Sequence, residues 1–145
     1  MAAMDYLTLG REALEAQPFS RLVGAELVSA GHGALEMRLP LRPELHQQYG
    51  FAHGGVISYL ADNALTFAGA MALGRAVVTA EFKINFLRPG AGEALIARAS
   101  VVSSGRTQAV TRCDIFAARA GEEKLCATAL GTIAVLATPA EPSAM

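Results

Sequence analysis

Residues 56–73 make an apolar run long enough to cross a bilayer, interrupted near its middle by one polar pair, Asp62-Asn63. A helix of that length must be covered on most sides, and a carboxylate inside it is costly unless it has a partner or a task. The polar pair, and the lack of a second such run, argue for a buried helix of a soluble domain and against a membrane span. The residues that feed it, HQQYGFAHGG from His46 to Gly55, form a polar loop punctuated by glycine. Gly54-Gly55 leave backbone N–H groups free at the helix N-terminus, where a developing anion is stabilised. The stretch from His46 to Ala70 therefore holds a candidate anion hole and a candidate buried carboxylate together.

Composition narrows the setting. At 145 residues the chain is one domain with room for a single core. Its formal charge is only −1, so neither a basic nucleic-acid surface nor an acidic tail is present. Cys113 and Cys126 sit in separate strand-like segments without metal-ligand spacing, as expected of reduced thiols in a cytosolic protein. Asp5, Arg11, Glu12 and Glu15 make the N-terminus too charged for a signal-peptide core, and a cytoplasmic location is expected. His32 and His46 belong to no ligand set, so no metal and no cofactor are expected.

Residues 4–16 read as a short amphipathic helix, broken by Gln17-Pro18-Phe19-Ser20. Val23–Ser29 and Ala34–Leu39 read as a hairpin about Gly31-His32-Gly33, and Gly74 ends the long helix. Over residues 76–87, alternation puts Ala76, Val78, Ala80, Phe82, Ile84 and Phe86 on one face and Thr79, Glu81, Lys83 and Asn85 on the other. Three further strands, 93–103, 107–118 and 124–136, are separated by turn-like Ser104-Gly105-Arg106 and Ala120-Gly121-Glu122. Four strands in hairpin succession predict an antiparallel sheet whose apolar face wraps the helix, an α+β layer. Residues 1–18 are then a helical extension, 19–137 the domain and 138–145 a flexible tail.

Helix geometry adds a constraint. Asp62 lies eight residues beyond Gly54, about 12 Å along a helix axis, whereas reacting groups must meet within roughly 3–3.5 Å. One helix cannot bring both to one reaction centre. Two helices packed antiparallel about a two-fold axis would bring each Asp62 to the N-terminus of its neighbour, so a homodimer with two composite sites is expected.

The order of two strands, His53-Gly54-Gly55, a helix with Asp62 nine residues after the histidine, then four strands, resembles the hotdog-fold acyl-CoA thioesterases in their phenylacetate-degradation (PaaI-like) branch. The resemblance covers roughly Phe19–Leu136. It implies an antiparallel sheet of about six strands around one long helix, and hydrolysis of an acyl-CoA to free acid and CoA. It implies that Asp62 is nucleophile or general base and that the Gly54 N–H polarises the thioester carbonyl, with His53 shaping the helix start. Thr79 matches the family's small hydroxyl residue early in the next strand and would orient water. Its place opposite the apolar face lets it reach Asp62 only through a bulge or across a subunit interface. Gln47 stands where many relatives carry Asn and keeps an amide for positioning water or carbonyl. Substrate contacts are expected from Gln48, Gly55, Arg88, Gly105 and Arg106. The implied assemblies are homodimers or homotetramers, with acyl-CoA as the partner and neither nucleic acid nor membrane.

The chemistry suits these residue types. Thioester hydrolysis passes through a tetrahedral oxyanion, and a preorganised donor contributes about 2.7–4 kcal/mol to stabilising it. No Gly-x-Ser-x-Gly elbow supplies a serine nucleophile. Two other readings compete. A non-catalytic acyl-CoA sensor is favoured by Gln47 and opposed by Asp62. A hydratase or dehydratase would need a His53–Asp62 dyad, which well-separated turns of one helix do not form.

Overall fold

Two short helices come first in the computed structural model, which describes residues 4–137: α1 (Tyr6–Glu15) and α2 (Pro18–Val23). Asp5 caps α1, accepting from the Thr8 N–H at 3.0 Å. The first helix ends at Glu15 with Ala16 as its C-cap, yet Gln17 and Pro18 start a second helix rather than a loop, because a proline in the first helical turn lacks only an N–H that has no intrahelical acceptor. Gly24, at φ 93°, closes α2, so the strand expected from Val23 begins at Glu26. This is β1 (Glu26–Gly31), in a hairpin with β2 (Ala34–Pro40).

The apolar run becomes α3 (Gly54–Leu73), capped by His53 and closed by Gly74 in the left-handed region at φ 62°. Val56, Ile57, Leu60, Ala61, Ala64, Leu65, Ala68 and Gly69 form its buried stripe at helical spacing. They pack on the inner face of one antiparallel sheet made by β1, β2 and four longer strands. Those are β3 (Val77–Phe86), β4 (Ala94–Ser104), β5 (Gln108–Arg119) and β6 (Glu122–Val135), in the order β1-β2-β4-β5-β6-β3. Small residues let helix and sheet approach closely. A Cβ on Gly69 would lie 2.5 Å from that of Ile133, itself fully buried. Gly69→Ala is therefore expected to destabilise the fold by about 1–3 kcal/mol through overpacking, read as a lower Tm.

The sheet departs from simple hairpin succession at β3. Leu87–Glu93 is too long for a tight turn. Its Leu87 N–H donates to the Cys126 carbonyl and its Glu93 carbonyl accepts from Leu41, each at 2.8 Å. The connection thus crosses the end of the sheet, and β4 pairs with β2 and β5 while β3 pairs with β6 alone. The expected single alternation of β3 also fails. Thr79 pairs with Ile133 but Glu81 with Thr132, leaving Ala80 as the extra residue of a bulge. Side chains change phase across it: Val77 and Thr79 are half-buried together with Phe82 and Ile84, while Val78 is exposed. The tail expected over residues 138–145 lies outside the described residues.

Candidate active site

The loop into α3 is held by its own backbone. Gln47 N–H donates to the Phe51 carbonyl at 2.9 Å, Ala52 N–H to Gly90 at 3.0 Å and His53 N–H to Leu45 at 2.8 Å. The Gln47 side chain serves the same loop, its Oε1 accepting from Tyr49 N–H at 2.5 Å. Gln48 is exposed beside it. His53 then caps α3 through its ring: Nδ1 accepts from the Gly55 N–H at 2.8 Å, which places the proton of a neutral ring on Nε2. A Cβ on Gly55 would lie 2.9 Å from that Nδ1, so glycine makes room for the cap. The cap engages the Gly55 amide, so that N–H already has an acceptor within the chain. The Gly54 N–H, by contrast, takes no acceptor among the described residues.

Asp62 and Asn63 part company on the helix surface. The Asn63 amide nitrogen lies 3.1 Å from Gln17 Oε1, 3.1 Å from Ser20 Oγ and 2.9 Å from Tyr59 Oη, fastening α2 onto α3. Asp62 faces β3 and is half-buried. Thr79 Oγ1 donates to Asp62 Oδ1 at 2.6 Å, a reach created by the bulge at Ala80. Thr66 adds a second hydroxyl, donating to the Asp62 carbonyl at 2.7 Å and lying 2.9 Å from Thr79 Oγ1. Asp62 Oδ2 has no donor among the described residues. One carboxylate oxygen is thus fixed and the other is available to take a proton or attack a carbonyl carbon. Thr66 escaped the sequence expectations, although its place four residues after Asp62 puts both on one helix face.

The expected substrate contacts do not converge in one chain. Arg88 follows the end of β3, near the start of α3. Gly105 and Arg106 lie in the β4–β5 turn, closed by Gly105 N–H to Gln108 carbonyl at 2.8 Å. That turn sits beside the start of β3, since Thr107 accepts from Val135, which pairs with Val77. The two positions are separated by the ten residues of β3, roughly 30 Å of extended chain. Gly54 and Asp62 are likewise apart, at the start and in the middle of α3. Among the described residues, no three His, Cys, Asp or Glu side chains gather to hold a metal.

Comparison with known proteins follows the same outline. The family model for the thioesterase superfamily matches residues 49–124. Acyl-coenzyme A thioesterase 13 of Homo sapiens is 31% identical over 104 residues, 70% of this chain and 74% of that protein. Acyl-coenzyme A thioesterase PaaI of Escherichia coli is 30% identical over 97 residues, 66% of this chain and 69% of that protein. The crystal structure of a thioesterase family protein from Silicibacter pomeroyi superposes with a TM-score of 0.83 at 38% identity, covering 89% of this chain and 96% of the other.

Proposed function

We propose that this chain, which belongs to the thioesterase superfamily, hydrolyses an acyl-CoA thioester to the free acid and CoA at sites built by two subunits. It is a thioester hydrolase by family; the assignment of parts comes from the site. Asp62 acts as general base or nucleophile, Thr79 and Thr66 hold it, and the Gly54 N–H of the partner subunit receives the oxyanion. As base, Asp62 Oδ2 takes a proton from water while the oxygen attacks the thioester carbonyl. The tetrahedral intermediate then expels the CoA thiolate, which takes up the proton. As nucleophile, Asp62 Oδ2 attacks the thioester carbonyl and displaces the CoA thiolate, forming a mixed anhydride. Water opens it to the free acid and the restored carboxylate, a proton of that water passing to the thiolate. His53 keeps the helix start in place through its cap, and Gln47 braces the loop before it.

The observation that carries this reading is Asp62 itself: a carboxylate in an apolar helix, with one oxygen fixed by Thr79 and the other without a donor. The dimer is supported by β3, whose second edge is unpaired among the described residues and whose Val78 and Phe86 are exposed, as is Leu87 just beyond it. Two such edges, paired antiparallel about a two-fold axis, would continue one sheet into the other and set the α3 helices side by side. A dimer of dimers is a further stage of the same proposal. We also place the protein in the cytoplasm. Its two cysteines are free and buried, and burial pushes the Cys113 thiol up to about 12 and the Cys126 thiol to about 11, leaving them inert.

A panel of aryl-, short- and medium-chain acyl-CoA thioesters, followed by thiol release, tests the reaction. Turnover of at least one is expected. Tight binding of an acyl-CoA without turnover of any would instead support the sensor.

A further inference from the structure

At the end of the sheet beyond the start of α3, the inner face of the β5–β6 hairpin stops being apolar. Register explains how. Ile115 pairs with Ala127 but Phe116 with Leu125, so Cys126 is the extra residue of a bulge in β6. Past it, even-numbered residues of β6 join the inner face: Lys124 pairs with buried Ala117, and Glu122 with Arg119. The Cys126 carbonyl accepts from the N–H groups of Leu87 and Arg88, at 2.8 and 3.3 Å, drawing the loop after β3 to the same place. The result is a cavity of about 470 Å3 lined by Phe51, Leu87, Arg88, Arg119, Glu122 and Lys124, among others.

Its charge is unlike that of the molecule. Three cations and one carboxylate leave a local excess of positive charge on a chain whose net charge is −1. Arg42, Arg98 and Arg112 have carboxylates within 4.0 Å, whereas Arg88, Arg119 and Lys124 have none among the described residues. Phe86, which precedes the Leu87 and Arg88 of the cavity wall, lies against Gly54: a Cβ on that glycine would be 3.6 Å from its ring. Like charges gathered in a concave site focus potential on an anion.

We propose that this cavity binds the phosphates of the substrate's nucleotide, with Arg119 and Lys124 joining Arg88 as their donors. The inference rests on the acyl-CoA reading and names the residues that select CoA over other thiols. A CoA ester whose carbonyl sits at Gly54 extends its polar arm past Phe86 into the cavity. The chemistry recognised is a phosphorylated adenosine carried on that arm, met by charge-assisted hydrogen bonds from two guanidinium groups and one ammonium.

Two measurements test this on the full chain. Calorimetry with adenosine 3′,5′-bisphosphate should show binding that weakens about tenfold in Arg119→Ala and again in Lys124→Ala, the scale of one charge-assisted contact each. Glu122→Gln should tighten it, a gain that misfolding cannot imitate. In kinetics, the KM for acyl-CoA should rise in the alanine variants relative to the KM for the same acyl group on N-acetylcysteamine. An unchanged KM ratio, or equal bisphosphate binding by wild type and double variant, overturns the assignment. Bisphosphate binding by a protein that hydrolyses no thioester would overturn the reaction and leave this site standing.

Discussion

Asp62→Asn is expected to lower acyl-CoA turnover by about 10²–10⁴-fold, the range contributed by a positioned general base. The substitution is nearly isosteric. Thr79 can still donate to the amide oxygen as it does to Oδ1, and Thr66 still bonds the backbone carbonyl at 2.7 Å, so local order is retained. What changes is the second oxygen, which becomes an NH2 that neither accepts a proton nor attacks a carbonyl. Thiol release under saturating substrate reports the loss, and an unshifted Tm shows that the fold is intact. Hydrolysis at the wild-type rate would remove Asp62 from the mechanism, whatever the family.

The second large effect tests the proposed oxyanion donor. Gly54→Pro removes one N–H and little else. Position 54 opens α3, where proline fits, and His53 already has ψ 137°, the extended conformation that a following proline demands. A Cβ at residue 54 meets only the Phe86 ring, at ordinary contact distance. Loss of the donor should lower kcat by about 10²–10³-fold. Mixing it with Asp62→Asn then tests the composite site. Each heterodimer would hold one site in which both parts are wild type and one in which both are altered. After unfolding and joint refolding, about half of the dimers are mixed and about a quarter of wild-type turnover returns. If both groups served one site within a single chain, mixing would restore nothing. Full activity in a monomer would defeat the composite site and the dimer together.

Legibility in the sequence follows the periodicity. The apolar run, its histidine-glycine start and Gly74 specify α3 because a buried helix of that length leaves few alternatives. Asp62 stands out as the polar break in that run, and strands 94–135 are marked by their turns. What stays hidden is where backbone changes phase. Residues 76–87 alternate so regularly that Ala80 looks like an ordinary inward position, yet only pairing with β6 reveals it as an insertion. Cys126 hides the inward turn of Lys124 in the same way. Pro18 reads as a breaker, because whether proline ends a helix or begins one depends on which side the helix lies. Crossing of the 87–93 segment from one sheet edge toward the other is a tertiary fact with no local signal.

The bulge at Ala80 also sets sheet regularity against chemistry. Deleting that residue would give an unbroken two-residue repeat, a strand that any idealising redesign would prefer. Thr79 would keep its place opposite Ile133, on the face of Phe82 and Ile84, and with it the 2.6 Å bond to Asp62. Forcing the full-length strand into regular alternation with Ala80 kept would instead turn Thr79 to the solvent side. Which residue the pairing leaves out is therefore a functional variable of its own: the contact to Asp62 depends on Ala80 standing outside the ladder.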